Sequence, residues 1–291
     1  MARLDPPLAP TAPASWLPGL ASKLFQALYW LLWRLNCQLK TWRANGQFFA
    51  LRHWFSQTNP WTQDPIVVVA PHPDDEVFGC GGLIALKRSQ GIPVNVIFLT
   101  DGGASHSGLV EMERQTLVTT RHREALNALS ILGVGAEQVH FLNYPDGELA
   151  NLPAEQTQAA IAQLQQRLQA CQPGAVYVTH AGDRSSDHEV AYRWVKQTID
   201  SWHSEPETRP QPLLYEYPIW ILWDGIVGLN FPVQVLQGAY RQSIASVQRQ
   251  KQTAIAQYQS QCSPVAKGQR PVLPPGFTDR FQSDHEIFFK R

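Results

Sequence analysis

The apolar residues of this chain fall into short blocks that are separated by longer segments of helical periodicity. Each block is rich in β-branched or aromatic residues and lacks polar alternation, which is typical of strands buried on both faces of a parallel sheet. The alternation of such strands with helices predicts an α/β fold, a Rossmann-like three-layer domain with a mainly parallel sheet. The five predicted strands are Ile66–Ala70, Val94–Leu99, Val139–Leu142, Ala175–Thr179 and Leu213–Pro218.

The pattern before the first strand is different, and it predicts an N-terminal helical extension. Apolar residues recur there at helical spacing: Leu24, Leu28, Leu31, Leu35, Leu39 and Trp42. The apolar stretch is shorter than the roughly 20 residues needed to cross a bilayer. We therefore divide the chain into residues 1–62, a disordered Pro- and Ala-rich start followed by a basic, Trp-rich amphipathic helix, and residues 63–291, the main domain.

Two interpretations of this extension stay open. Six of the ten tryptophans lie before residue 63, and no acidic residue occurs between Asp5 and Asp64. A basic, Trp-rich amphipathic helix can lie on a membrane surface, so peripheral membrane contact through residues 20–62 is one interpretation. The other is a helix that packs on the main domain or on a second subunit of an oligomer.

Composition narrows the function and the compartment. The net charge is zero and charged residues make up 16% of the chain, so nothing indicates nucleic acid as a partner. The four cysteines are isolated in sequence, which fits a reducing compartment. The start of the chain does not have the pattern of a signal peptide. We expect a cytoplasmic protein, with a peripheral membrane position as the alternative.

The segment that follows the first strand carries the most specific chemistry. It reads Pro71-His72-Pro73-Asp74-Asp75-Glu76 and opens a helix. His72 and Asp75 are three residues apart, so a first helical turn can direct both at one point. An imidazole and a carboxylate are natural zinc ligands, and Asp74 could act as a base beside the metal. The ordinary alternative is an N-capping aspartate, which explains one of the three acids.

This segment, followed by Gly79-Cys80-Gly81-Gly82, strongly resembles the signature of the PIG-L/LmbE-like family of metal-dependent N-deacetylases. The family has an alanine where this chain has Pro71. The resemblance implies a second metal histidine at His188, in an Asp-His pair that opens a later helix. It therefore implies a zinc ion, with Fe²⁺ as the alternative, held by His72, Asp75 and His188.

Further residues near strand ends or in similar motifs are candidates for substrate binding: Asp101, Arg121, Arg123, Asp146, His180 and Arg184. For Arg121 and Arg123, which precede Glu124, the competing interpretation is an ion pair at the protein surface. Many relatives have a histidine three residues before the metal histidine, where this chain has Ser185. The general acid is therefore open, and His180 or Arg184 could take that role.

The topology gives a test that does not depend on the family. If the five strands are ordered 3-2-1-4-5, the first and fourth strands flank the topological switch point, where ligands bind in open α/β sheets. His72 follows the first strand and His188 follows the fourth. The two motifs would then meet in one crevice although more than 110 residues separate them.

The expected function is hydrolysis of the N-acetyl group of an N-acetylglucosamine derivative, a small-molecule substrate. The metal would activate water and Asp74 would accept its proton. Two alternatives remain. One is an amidase that acts on a larger sugar or thiol conjugate, and the other is a sugar-binding module with a vestigial metal site.

Overall fold

The computed structural model describes residues 19–106, 108–202, 210–226, 234, 237–263 and 271–291, with side chains from residue 24 onward. The segment before residue 19, predicted to be disordered, lies outside these residues. Within them the chain forms one eight-stranded sheet with helices on both faces. The strands are β1 Gln57–Thr58, β2 Ile66–Ala70, β3 Val94–Thr100, β4 Val139–Tyr144, β5 Ala175–Thr179, β6 Leu213–Tyr217, β7 Ala239–Ser243 and β8 His285–Lys290.

The sheet has the strand order that was assumed above, and it extends that order by three strands. Its order is β1-β7-β8-β6-β5-β2-β3-β4, so the five predicted strands stand together as β4-β3-β2-β5-β6, all parallel. β8 lies antiparallel to β6 on one side and to β7 on the other. The carboxyl ends of β2 and β5 are therefore neighbours at the switch point, which brings the two histidine motifs to one edge.

The main helices are α1 Gly19–Ala50, α2 Asp75–Ser89, α3 Glu111–Ile131, α4 Ala154–Cys171, α5 Ser186–Asp200, α6 Ile221–Asp224, α7 Gln248–Ile255 and α8 Gln259–Cys262. Side chains of a strand point alternately to the two faces of the sheet. Val68 of β2 accordingly packs with α2, α3 and α7, whereas Val67 and Val69 pack with α4 and α5. The three layers of the predicted fold are present.

α1 includes all the apolar positions from Leu24 to Trp42 that predict a helix, and it packs on the main domain along one side. Cys37 and Ala44 are buried seven residues apart, which places them on one face of α1 two turns apart, and Leu51 of the π-helical segment Leu51–Phe55 that follows α1 is buried as well. Lys40 on the same side forms an ion pair of 2.7 Å with Asp224. Among the described residues, no helix is long and apolar enough to cross a membrane.

The sequence of residues 244–260 predicts a single helix, and that prediction is wrong in its extent. The structure has two short helices there, α7 and α8, with Tyr258 between them in a non-helical conformation (φ −82°, ψ 58°). Tyr258 is fully buried and its hydroxyl contacts Glu76 of α2. Ser260 is held by Glu124 of α3. These tertiary contacts outweigh the helical pattern of the segment.

Candidate metal centre

Three side chains predicted as metal ligands converge at the carboxyl ends of β2 and β5. His72 lies in the turn after β2, Asp75 begins α2, and His188 lies in the first turn of α5. Asp75 Oδ2 is 3.1 Å from His72 Nδ1 and 3.2 Å from His188 Nε2, and the two nitrogens are 3.3 Å apart. One ligand atom from each residue therefore points at a shared centre.

The spacing and chemistry of this triangle fit a divalent metal ion. Metal–ligand distances of about 2.0–2.1 Å place tetrahedral ligands about 3.3–3.4 Å apart, close to the separations found here. Two imidazoles and one carboxylate leave a coordination position open for a reactant. The same donor set also suits Fe²⁺, so the geometry supports a metal without selecting which one.

Three outer carboxylates orient the two histidines. His72 Nε2 is 3.1 Å from Asp146 and 3.3 Å from Asp187, and His188 Nδ1 is 2.6 Å from Asp183. Such carboxylates fix the tautomer of a metal-binding histidine, here with the proton on the nitrogen that faces away from the centre. The pairing of His188 with Asp183 was not predicted; an acid shortly before the histidine was the only sequence signal for it.

The electrostatics of the site favour positive charge. Burial works to lower the pKa of His188, but Asp75 and Asp183 outweigh it and raise that pKa to about 9. The pKa of His72 is likewise raised well above its usual value, against burial, by Asp146, Asp187 and Asp75. Burial works to raise the pKa of Asp75, but the two histidines hold it well below its usual range. A metal cation at the centre would replace the positive charge that protons on His72 and His188 supply without it.

Asp74 lies beside the triangle in an unusual backbone conformation. It occupies the N-cap position of α2 with φ 136°, and its side chain makes no capping hydrogen bond, which removes the ordinary interpretation of this acid. Its Oδ1 is 3.4 Å from Arg121 Nη2. Burial raises the pKa of Asp74 to about 7, with Arg121 opposing the rise. A positive φ at a non-glycine residue is costly, and residues held in such conformations cluster at active sites.

Two buried side chains, Glu76 and Tyr258, support the strained turn at Asp74. The backbone N–H of Asp74 donates to Glu76 Oε2 at 2.9 Å, and the other oxygen of Glu76 contacts the Tyr258 hydroxyl. Both side chains are fully buried, and burial raises the pKa of Glu76 to about 8. The third acid of the motif, Glu76, therefore holds the backbone of the first, Asp74.

Arg121 and Arg123 have different surroundings, although both were candidates for substrate binding. Arg121 is 2% exposed and donates to the carbonyls of Gly102 (2.8 Å) and Pro73 (2.6 Å). It joins the loops after β2 and β3 and places a positive charge beside Asp74. Arg123 is exposed two positions further along α3, about 200° around the helix, and does not line the cavity.

Of the other candidates, Asp146 lines the cavity and Asp101 supports it. Asp146 accepts from the N–H of Ala104 (2.9 Å) as well as contacting His72, and Asp101 accepts from Gly103 N (2.9 Å) and Arg114 (2.8 Å). The side chain of Asp101 thus fixes loop backbone.

His180 and Arg184 do not lie where a general acid would be needed. His180 is buried, with Nε2 3.3 Å from Glu216 and 3.2 Å from Arg291. Arg184 is exposed and donates to the carbonyl of Asp224 at 3.4 Å. Neither lines the cavity, so the expectation that either replaces the histidine absent at Ser185 is not supported.

The triangle opens into a cleft, about 390 Å³ with its open mouth included, that has a polar and an apolar side. Asp74, Arg121 and Asp146 lie on the polar side. The apolar side is formed by Phe78, Ile219, Trp220, Val272, Leu273 and Phe277. The rings of Trp220 and Phe277 are 4.2 Å apart between centroids. A ligand can therefore place a polar group at the triangle and apolar surface against the aromatic wall.

The glycines of α2 let other elements approach the site closely. A Cβ at Gly79 would lie 2.1 Å from the ring of Tyr217, and one at Gly82 would lie 2.5 Å from Ile244. The Tyr217 hydroxyl donates to the carbonyl of Val69 at 2.9 Å, which fixes the ring. The glycine-rich segment thus seats the helix of Asp75 directly on the sheet.

Comparisons with known proteins agree with this geometry. Residues 67–199 match the family described as PIG-L: GlcNAc-PI de-N-acetylase. An uncharacterized deacetylase of Escherichia coli (strain K12), YaiS, is 30% identical over 155 residues, which cover 53% of this chain and 74% of that protein. A probable N-acetyl-alpha-D-glucosaminyl L-malate deacetylase 2 of Bacillus subtilis (strain 168) is 40% identical over 68 residues, covering 23% of this chain and 31% of that relative.

A solved structure shares the fold. It is the N,N'-diacetylchitobiose deacetylase of Pyrococcus horikoshii, which aligns with a TM-score of 0.56 at 20% identity, over 74% of this chain and 78% of that chain. The match to YaiS covers nearly three quarters of that deacetylase, and the family match contains both histidine motifs. The chain belongs to the PIG-L family of deacetylases.

Proposed function

We propose that this protein is a metal-dependent hydrolase that removes the acetyl group from an N-acetylglucosamine derivative. The observation that carries the proposal is the triangle of His72, Asp75 and His188, with Asp74 beside it in a cleft. The names of the relatives support the substrate class, since they include deacetylases of an N-acetylglucosaminyl malate and of diacetylchitobiose. Zinc is the proposed metal, and Fe²⁺ is the alternative.

The residues of this chain divide the work as follows. A bound metal ion would acidify water and polarise the acetyl carbonyl. Asp74 accepts the proton of the attacking water and passes it to the leaving amine, since its carboxyl lies beside the triangle and one carboxyl group can act first as a base and then as an acid. Arg121 holds the carboxyl of Asp74 in place, and Asp183, Asp146 and Asp187 keep the histidines oriented. Because Asp74 delivers the proton, no acid is needed at the position that Ser185 occupies.

The test is acetate release from a panel of N-acetylglucosaminides, by protein loaded with zinc or with Fe²⁺ and by protein treated with a chelator. We expect release that the chelator abolishes and that one metal restores. His188→Ala should abolish both metal retention and release. Asp200→Asn, a change on the exposed side of the same helix, is the control and should leave both intact.

Three outcomes would contradict the proposal. Release that survives complete metal removal would exclude the metal mechanism. Metal retention with no release from any N-acetyl sugar, together with sugar binding in calorimetry, would favour a binding module. Cleavage of larger sugar or thiol conjugates alone would favour the amidase and would narrow the function to a different amide.

A further inference from the structure

The outward side of α1 carries a continuous row of exposed apolar side chains. The row runs along the side opposite to the packed residues Cys37, Ala44 and Leu51. Its members are between 45% and 84% exposed: Leu24, Phe25, Leu28, Leu31, Leu32, Leu35, Leu39, Trp42 and Phe49. We call these nine residues the outer row. Contiguous exposed apolar surface of this extent marks an interaction site.

The width of the outer row distinguishes between two possible partners, a lipid bilayer and a second helix. Leu31 and Phe25 are six positions apart, so they lie about 120° apart around the helix. A helix that packs against one partner helix needs only the narrow seam of a two-in-seven pattern. In addition, none of the described side chains of residues 24–36 is buried. A single partner helix would leave part of this surface in water, whereas lipid can cover all of it.

The charge of the helix points the same way. The stretch between Asp5 and Asp64 contains five lysines and arginines and no acid. Lys40 and Arg52 are paired with Asp224 and Asp284 of the main domain, and Arg34 is exposed on the helix. α1 therefore presents the exposed cation Arg34 and has no acid that could pair with it on a second copy of the helix. An anionic lipid surface would complement this charge.

The same helix borders the apolar wall of the cleft. A Cβ at Gly276 would lie 2.2 Å from Thr41 Oγ1, so the segment next to Phe277 packs directly on α1. Gln47 donates to the carbonyl of Leu222 at 2.9 Å, and Lys40 contacts Asp224, both in α6 beside Trp220. The outer row and the apolar wall are thus on neighbouring parts of one packed unit.

We propose that α1 docks this protein on the surface of a lipid bilayer, with the outer row among the lipid tails and Arg34 at the headgroups. Docking would hold the cleft close to the membrane surface. This proposal concerns attachment and stands whether or not the proposed deacetylation is correct.

The test is flotation of the full chain with vesicles of phosphatidylcholine and phosphatidylglycerol, and with vesicles of phosphatidylcholine alone. We expect binding to the mixed vesicles that weakens with salt. The triple variant Leu28→Glu/Leu35→Glu/Trp42→Glu should lower the partition coefficient by roughly 100-fold or more, because each change removes a large apolar side chain from lipid. Met112→Glu on α3 is the matched control, since that side chain is 76% exposed, and it should bind like the parent chain.

Thermal unfolding of the triple variant should match that of the parent, because the three side chains are exposed. The proposal is overturned if the parent chain binds neither kind of vesicle, or if the triple variant still binds as well as the parent. A dimer in analytical ultracentrifugation that the triple variant dissociates, without vesicle binding by the parent, would assign the outer row to a second copy instead. Acetate release from a soluble sugar should be the same for parent and triple variant.

Discussion

The metal centre and the outer row of α1 depart from the usual distribution of side chains in opposite ways. The centre buries charge: Asp75, Asp183 and His188 are at most 3% exposed, yet each has polar partners within 3.3 Å. The outer row exposes apolar surface, with Leu39 at 70% and Trp42 at 84%. In one region polar groups are removed from water, and in the other apolar groups are left in it.

The two departures have different energetic consequences. A buried charge that loses its partner is strongly destabilising, so the centre can persist only as a complete network. An exposed leucine costs folding little, because it is nearly as exposed in the unfolded chain. Substitutions at the centre should therefore change activity, metal affinity or stability, whereas substitutions in the outer row should change association alone.

The largest effect is expected for Asp74→Asn, which removes a proton acceptor while keeping the shape of the side chain. Turnover should fall by about 10²–10⁴-fold, the usual contribution of a general base. Metal content should stay the same, because the triangle of ligand atoms is intact. Steady-state kinetics with metal analysis of the same sample measure both. Full activity in this variant would refute the role of Asp74.

Arg121→Ala should come next, with a loss of about 3–5 kcal/mol in the free energy of unfolding. The change leaves the carbonyls of Gly102 and Pro73 without their donor and removes the positive charge next to Asp74. Arg123→Ala is the control on the exposed side of the same helix and should be close to neutral. Chemical denaturation of both variants distinguishes them, and equal losses would mean that Arg121 is not the buried connector described here.

A smaller effect is expected for Asp183→Asn, which weakens the support of His188 without touching a ligand atom. Loss of a carboxylate behind a metal-binding histidine typically lowers metal affinity by about 10–100-fold. Competition with a chromophoric chelator measures the affinity. Asp200→Asn, at the exposed end of α5, should leave it unchanged. An unchanged affinity in Asp183→Asn would show that the backbone alone orients His188.

The smallest effect compares one glycine from each region. Gly79→Ala places a methyl group against the fixed ring of Tyr217 and should destabilise the fold by about 1–3 kcal/mol. Gly46→Ala in α1 has nothing within 4 Å of the new carbon and should stabilise the helix by up to about 1 kcal/mol. In thermal unfolding, the melting temperature should fall for Gly79→Ala and rise for Gly46→Ala if the two regions differ as described. Two shifts of the same sign would contradict that difference.

Sequence patterns predicted the five parallel strands, because buried parallel strands have an uninterrupted apolar pattern. Their order was an assumption, and the sheet has that order, which brings His72 and His188 together. β7 was missed because Ala239–Ser243 reads as a polar stretch with no alternation. β8 was missed because its pairing with β6 and β7 is antiparallel and joins residues far apart in sequence. Neither strand has a local signal as strong as that of β2.

The site was predictable where the motif itself carries the chemistry, as at His72, Asp74 and Asp75. The partners that position those residues were not, because their contacts depend on loops. Asp183 contacts His188 through the turn before α5, and Arg121 reaches Asp74 across two loops. Sequence shows that a residue can bear charge, but burial decides whether that charge meets substrate or fixes backbone, which is why Arg121 and Arg123 differ.

The position of β8 has a consequence for synthesis of the protein. It lies between β6 and β7, yet its residues leave the ribosome about 40 residues after those of β7. Until β8 arrives, β6 and β7 each present an unpaired edge, and Lys251 lacks its buried partner Glu286, whose carboxylate also accepts from Gly82 N at 2.7 Å. The contacts within the parallel part of the sheet therefore need no residue of β8, whereas those of α2 with Glu286 can form only once residue 286 has been synthesised.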